Sequence, residues 1–269
     1  MVYEARIVGV PITKMHGAGN DFVILDRRRV VLEDLPAFAR CVCDRHRGVG
    51  ADGLIAIEAS GSSNPRMRTI NADGTEAEMC GNGARCAARW LEEAGEGQRI
   101  SFETAAGLVR TEVVTREPQY MVRVAMGRPN APIARLRSIA NGFFVDLGNP
   151  HVVVWVEDLD GIALESLATQ LQRDPDFPNG TNVHLATSLD PRTIAVRHWE
   201  RGVGRTLACG TGAVAAATVA LEQNQAVSPM TVVVPGGRLN VDWDAEGNAL
   251  LTGPAERVFD TELRFDHGD

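Results

Sequence analysis

Two short stretches carry the residues best suited to chemistry. "EMCGNGARCAARW" runs over Glu78–Trp90 and "LACGTGAVAAATV" over Leu207–Val219. Each writes Cys-Gly-x-Gly-Ala at the head of an alanine-rich run, which puts Cys80 and Cys209 at the expected N-termini of two helices. Free backbone N–H groups and the positive end of the peptide dipoles lie at a helix N-terminus, lowering a thiol pKa and attracting anions. The glycines let that backbone approach a ligand without side-chain obstruction. Two such N-termini facing one another across a cleft would bind one carboxylate between them. They would also set one sulfur on each side of the carbon beside it. That geometry suits a proton swap at a stereocentre, one thiolate removing the hydrogen and the opposite thiol donating another. An amino-acid α-proton is very weakly acidic without an electron sink, so fixed N–H donors and a desolvated cleft must stabilise the developing charge. Either cysteine alone reads equally well as a small buried residue; the pair, with its glycines, favours chemistry.

The two motifs also imply a repeat. Cys80 and Cys209 are 129 residues apart, and at that offset "CGNGARCAA" and "CGTGAVAAA" agree at six of nine positions. The same offset carries Gly19-Asn20 onto Gly148-Asn149 without a gap. Two matches at one offset, near half of the 269-residue chain, predict a duplicated unit with approximate two-fold symmetry.

The elements that must position the thiols follow from the pattern. "ARIVGVPITKMHG", "DFVILD", "LIAIEAS" and "MRTINADG" read as short strands bounded by turn formers. "LEDLPAFARCVCDRHRG" reads as a helix ending at Gly48, and "CGNGARCAARWLEEAG" as one closing at Gly95. "RISFETAAGLVRTEVV" and "QYMVRVAMG" are strands again. After "GRPNAPIARLRS" the pattern restarts with strands in "GFFVDLGNPHVVVWVEDL", a helix in "IALESLATQLQRDPDFP", and strands in "GTNVHLATSL" and "TIAVRHWERG". "CGTGAVAAATVALEQNQ" is the second alanine-rich helix, and "MTVVVPGG", "RLNVDWDAEG" and "NALLTGPAERVF" complete the strands. Short strands wrapped around one buried helix, done twice, is the expected architecture.

Bulk properties exclude several classes. With 44% hydrophobic and 23% charged residues the chain suits one large or two medium domains. A net charge of −8 and the lack of a basic block argue against nucleic acid as partner. No run approaches the ~18 apolar residues of a membrane span. The opening "MVYEARIVGVPITK" lacks the layout of a signal peptide, so the expected location is cytoplasmic. Five cysteines are an odd number for a disulfide framework, and Cys41-Val-Cys43 has no second pair to make a zinc site, so both read as core and no metal is expected. Cys86 lies roughly 9 Å along its helix from Cys80, on another face, and also reads as core. Lys14 is the only lysine, and its "MHGAGND" surroundings offer no phosphate cradle, so pyridoxal phosphate is not expected. No Walker loop or complete dinucleotide fingerprint is present, so no cofactor is assigned.

At this point the residues resemble a family. "KMHGAGNDFVILD", "NADGTEAEMCGNGARC", "LGNPHVVVWVED", "NGTNVHLA", "WERGVGRTLACGTGA" and "PGGRL" with "LTGPAERVF" are similar, in order, to diaminopimelate epimerases over about Met15–Phe259. The resemblance implies an α/β fold of the α+β type. It has two pseudo-symmetric domains, each a mostly antiparallel, barrel-like sheet around a central helix, with the active site between them. The implied division is residues 1–126 with a C-terminal strand 257–269, against residues 127–256. The implied activity is cofactor-independent conversion of LL-diaminopimelate to the meso form, for lysine and peptidoglycan precursors, in a homodimer. Cys80 and Cys209 would be the acid/base pair, assisted by His151 and Glu200. Gly81, Asn82, Gly210 and Thr211 would hold the reacting carboxylate. Asn20, Asn71, Asn149, Asn182 and Arg201 would grip the other end, whose ammonium needs carbonyl acceptors and whose carboxylate needs a guanidinium. Taken from the residues alone, His151 reads as a turn histidine, Glu200 as a solvated strand end and the asparagines as turn formers.

Two departures stand out. Arg205 occupies a position where the family usually has glutamate, either depressing the Cys209 pKa or pointing into solvent. Gly53 stands where some members have a glutamine that reaches the substrate. About nine residues precede the family's usual start. Two other readings stay open. One is a cofactor-independent racemase of another amino acid, against which the retained distal-head residues speak. The other is a thiol redox or metal-binding module, disfavoured by the absence of CxxC or clustered histidines. A phenazine-pathway isomerase of similar fold is disfavoured because such proteins lack the cysteine pair.

Overall fold

Alanine and glycine make the two central helices narrow enough to thread inside curved sheets. The second of them is apolar around its whole circumference, the mark of a helix with no solvent face. The computed structural model describes residues 9–130, 134–136 and 139–264. In the first half β1 (Gly9–Gly17) and β2 (Asn20–Asp26) lead to α1 (Leu35–Cys43). Next come β3 (Gly53–Glu58), β4 (Arg66–Asn71), β5 (Glu76–Ala77) and the central α2 (Gly81–Glu93). The half closes with β6 (Arg99–Thr104), β7 (Gly107–Thr115) and β8 (Met121–Gly127). The second half repeats this order. A short β9 (Ala134–Arg135) precedes β10 (Gly142–Asp146), β11 (Pro150–Trp155), α3 (Leu164–Leu171), β12 (Asn182–Asp190), β13 (Thr193–Glu200) and β14 (Gly204–Thr206). Then follow the central α4 (Gly210–Glu222), β15 (Met230–Val234), β16 (Gly237–Trp243), β17 (Ala249–Pro254) and β18 (Glu256–Arg264).

The pairing repeats with the register. Phe22 faces Gly53 in the parallel β2–β3 pair, and His151 faces Asn182 in the parallel β11–β12 pair. Thr69 faces Ala77 between β4 and β5, and His198 faces Thr206 between β13 and β14. Each member is displaced by the same 129 residues that separate the two cysteines. Most other pairs are antiparallel, the β4–β6 and β13–β15 contacts being parallel. The halves join edge to edge where β8 pairs with β17. The chain then crosses over: β9 pairs with β10, and β18 returns to pair with β1. Inside the first half α2 packs against β1–β4 and β6–β8, and inside the second α4 packs against β10–β13 and β15–β17. One continuous apolar core runs through both central helices, while α1 and α3 cover separate outer clusters.

Local chemistry corrects three sequence expectations. The first helix stops at Cys43 rather than at Gly48, because Asp44 turns extended and its carboxylate accepts from the His46 and Arg47 amides. That local turn competes with the helix for the same backbone groups. Cys41 is exposed rather than core: the buried stripe of α1 is Leu35, Phe38, Ala39, Val42 and Cys43, and Cys41 lies off it. The helix drawn through "IALESLATQLQRDPDFP" spans only Leu164–Leu171. Pro175 disfavours helical backbone at Asp174, and a turn closes there from the Phe177 amide to the Asp174 carbonyl. By contrast α2 ends as read, with Gly95 taking a left-handed φ of +91° past the cap. Cys86 is fully buried in the core. The segment before Gly9 lies outside the described residues, and Gly9–Lys14 extend β1 along β18.

Candidate active site

Both cysteines cap their helices. Gly83 N donates to Cys80 Sγ at 3.4 Å, and Gly212 N donates to Cys209 Sγ at 3.4 Å. Little room is left at these donors: a Cβ on Gly83 would lie 2.5 Å from Ile55 Cδ1, the end of a flexible side chain, and one on Gly212 would lie 2.4 Å from His184 Cε1, part of a ring. The N-termini of α2 and α4 touch across the junction of the halves. A Cβ placed on Gly210 would sit 3.7 Å from Gly81 Cα and 3.8 Å from Asn82 Oδ1. Asn82 Nδ2 also reaches over to donate to the Ala208 carbonyl at 3.1 Å. Two glycine-rich, cysteine-capped helix starts thus meet with room for little more than one carbon atom between their backbones.

Electrostatics at this point run opposite to the sequence expectation. Burial pushes the Cys80 thiol up to about 11, against the pull of the Gly83 amide. It pushes Cys209 well above its ordinary value too, with the negative charge of Glu200 adding to the effect. One sulfur–amide contact and a helix end do not offset the loss of water around a thiolate. Glu200 shares that dry region and faces the Cys209 thiol, and burial raises its own pKa.

On the first-half side, Asn20 is held by orientation rather than by chance. Its Nδ2 donates to Asp52 at 2.7 Å, which turns Oδ1 towards Asn82 Nδ2 at 3.0 Å and the Cys80 thiol at 3.8 Å. Asp52 in turn accepts from Arg45, which also grips Asp21. Asp21 binds Lys14 at 2.6 Å, and Lys14 also donates to the Gly50 carbonyl. Hydrogen bonds and charge from Arg45 and Lys14 overcome burial and draw Asp21 down to about 2. Behind the α2 N-terminus lies Arg85, fully buried, its Nη2 donating to Asn82 Oδ1 at 2.9 Å and its Nε to the Pro254 carbonyl at 3.1 Å.

On the second-half side, Asn182 is buried and bridges strands, donating to the Pro150 carbonyl at 2.9 Å and accepting from Arg201 N at 3.0 Å. Arg201 is exposed and donates to the Asn179 carbonyl at 3.2 Å. Thr211 Oγ1 lies 3.6 Å from Cys209 Sγ. Both ring nitrogens of His151 are taken, one by Asn149 Oδ1 and one by His184, and neither meets a sulfur. A cleft of about 500 Å³ opens between the halves, lined by Arg45, Asp52, Asn71 and Thr75 from one and Arg201 and Val203 from the other. Asn71 donates to Thr75 at 2.9 Å along its wall.

The sequence model of the family described as diaminopimelate epimerase matches residues 12–132 and 143–258. The chain belongs to the diaminopimelate epimerase family. This family member is 39% identical to the diaminopimelate epimerase of Pelotomaculum thermopropionicum over 94% of its own length and 98% of that protein. It is 42% identical to that of Desulforudis audaxviator, over 92% and 97% of the two chains. Its relatives are isomerases, and so is the class of enzyme to which it belongs. Among solved structures it shares its fold with a Bacillus anthracis phenazine biosynthesis protein of the PhzF family, at TM-score 0.74 and 18% identity over 96% of this chain and 99% of that one. A hydroxyproline epimerase from Agrobacterium vitis aligns at TM-score 0.68 and 16% identity over 99% and 94%. The expectation of two similar α/β halves stands on these matches and on the two matched segments.

Both departures of this epimerase-family chain have local explanations. A Cβ on Gly53 would lie 2.8 Å from the Ile70 carbonyl, so this strand register admits glycine alone. Arg205 is exposed on β14 opposite Trp199 and points into solvent, at the place where Glu76 stands in the first half and pairs with Arg68 at 2.8 Å. Four site neighbours escaped the sequence reading: Asp52, Arg85, His184 and His198. Strand alternation could have flagged the histidines, since His184 and His198 fall two residues from Asn182 and Glu200 on the same faces. Nothing in spacing marks Arg85, which a helix pattern would place on a solvent face.

Proposed function

We propose that this chain interconverts LL- and meso-2,6-diaminopimelate through a two-thiol acid/base mechanism, without pyridoxal phosphate or metal. The contact of two cysteine-capped helix N-termini carries the reading. One thiolate takes the α-proton, so a Cα–H bond breaks and an S–H bond forms. The opposite thiol gives its proton to the other face of the carbanion and becomes the new thiolate. The N–H groups of Gly81, Asn82, Gly210 and Thr211 hold the reacting carboxylate and the charge that develops on it. Glu200, against Cys209, takes and returns the thiol proton, while His151 acts at one remove, through Asn149. The substrate's own ammonium, seated beside the sulfurs, supplies the positive charge that lets one buried thiol ionise. Asn20, Asn71, Asn149, Asn182 and Arg201 receive the second amino-acid head in the cleft. Lys14, committed to Asp21 and Gly50, supports a reaction that needs no Schiff base.

We further assign the enzyme to the cytoplasm, to lysine and peptidoglycan precursor synthesis, and to a homodimer. The edge strand β18, with exposed Val258 and Phe259, supports a second copy as partner. Incubation with LL-diaminopimelate in deuterated water, without added cofactor, is expected to give meso product labelled at one α-carbon. Inversion without label would overturn the proton swap. Turnover of proline or another single-headed amino acid in place of diaminopimelate would shift the reading to a racemase of that substrate. Sedimentation tests the dimer.

A further inference from the structure

Three buried imidazoles run in a row from Asn149. His151 Nε2 lies 2.9 Å from Asn149 Oδ1, His151 Nδ1 lies 2.9 Å from His184 Nε2, and His184 Nδ1 lies 2.9 Å from His198 Nδ1. All three rings are buried, and His198 Nε2 has no partner among the described residues. A neutral imidazole carries one N–H and one lone pair. An oxygen of Asn149 faces the row, so His151 must be protonated on Nε2 and must accept on Nδ1. His184 then donates from Nε2 and accepts on Nδ1, and His198 donates from Nδ1. This sense leaves only a lone pair without partner at the inner end. The opposite sense would strand an N–H there, the costlier orphan in a dry interior. Burial also keeps the three imidazoles uncharged, aided at His151 by His198 and Arg201, at His184 by both neighbouring rings and at His198 by Arg197, and draws His151 and His198 down to about 3.

The internal repeat shows that packing does not require them. At the common offset the same three seats in the first half hold Phe22, Ile55 and Thr69. Ile55 meets Gly83 there as His184 meets Gly212 here. The fold therefore fills these seats with side chains that form no relay, and the histidines are an addition of the second half.

We propose that His184 and His198 are positioning residues: with His151 they form a one-way hydrogen-bond relay that fixes His151 as the Nε2–H tautomer and turns the Asn149 carboxamide so that its NH2 is presented to the substrate. The inference rests on the reading of His151 and Asn149 as site residues, but its first test needs no turnover. In ¹⁵N-labelled wild type, His151 and His184 should be protonated at Nε2 and His198 at Nδ1 through neutral pH, with N–N couplings across both histidine–histidine hydrogen bonds. His151 protonated at Nδ1, or charged, would overturn the relay whether or not the protein epimerises diaminopimelate. His184→Ile, the first half's own residue, should fold, release His151 from its single tautomer, and lower kcat/KM roughly 10- to 100-fold. His184→Gln, which restores a donor towards His151, should recover part of that loss, and His198→Thr should loosen the same tautomer. A folded His184→Ile protein with the His151 tautomer and kcat/KM unchanged would sink the proposal; should that variant fail to fold, the wild-type spectra decide alone. Loss of epimerase activity in wild type, with the tautomers as stated, would count against the proposed reaction and leave the relay standing.

Discussion

Buried thiols hold their protons, and that governs what single residues should do. With Cys80 near 11 and Cys209 well above its ordinary value, alkylation of the free enzyme by iodoacetamide is expected to be slow at neutral pH and to rise with pH for both thiols. A midpoint near 7 for either thiol, read by mass spectrometry of the labelled peptides, would contradict the burial argument. Cys80→Ala and Cys209→Ala should each reduce epimerisation by at least 10²- to 10⁴-fold, the usual worth of a positioned proton-transfer group. Circular dichroism should show both variants folded, because each removes only one atom from a cap.

At the scale of an element, the two central helix N-termini depend on glycines whose neighbours differ in hardness. Gly83→Ala would press on Ile55 Cδ1, the free end of a flexible side chain. Rotation of that end and the better helix propensity of alanine, about 1 kcal/mol, should leave stability nearly unchanged. Gly212→Ala would press on the His184 ring, which is held at both nitrogens. Its expected cost is about 1–3 kcal/mol, as for other overpacked sites. Urea midpoints for the two variants should therefore fall in that order, and the reverse order would show that the ring is free to move.

For the whole molecule, titration and strand crossover set the expectations. The three relay histidines, His151, His184 and His198, have folded pKa values below the unfolded 6.5, so the unfolded chain binds more protons in acid. Stability is then fully present above about pH 6.5 and is lost as pH falls, at roughly 1.4 kcal/mol per pH unit for each histidine. The thiols of Cys43, Cys80 and Cys86 are raised above 9.0, so their contribution is present below about pH 9 and is lost as pH rises further. Urea midpoints should peak between these limits; a profile flat from pH 5 to 7 would contradict the neutral relay. The pairing of β18 with β1 supports our proposed division into residues 1–126 with 257–269, and 127–256. Deleting residues 256–269 should then unfold the first half, and a deletion variant with native near-ultraviolet dichroism would refute that division.

Period and spacing alone reached far into this protein. Alanine-rich runs behind Cys-Gly-x-Gly identify both central helices, strand alternation finds most of the sheet, and the offset of 129 residues exposes the repeat, because these are local properties of the chain. Asp44 and Pro175 ended helices sooner than the pattern suggested, since side-chain turns and proline compete with helix locally. Tertiary structure alone decided what lies between distant segments. It brought Gly81 against Gly210, dried both thiols until their pKa values rose rather than fell, buried Arg85 between the halves and lined up three histidines from three strands. Desolvation and cross-strand contact depend on what the rest of the chain places around a residue, and no spacing within one segment contains that information.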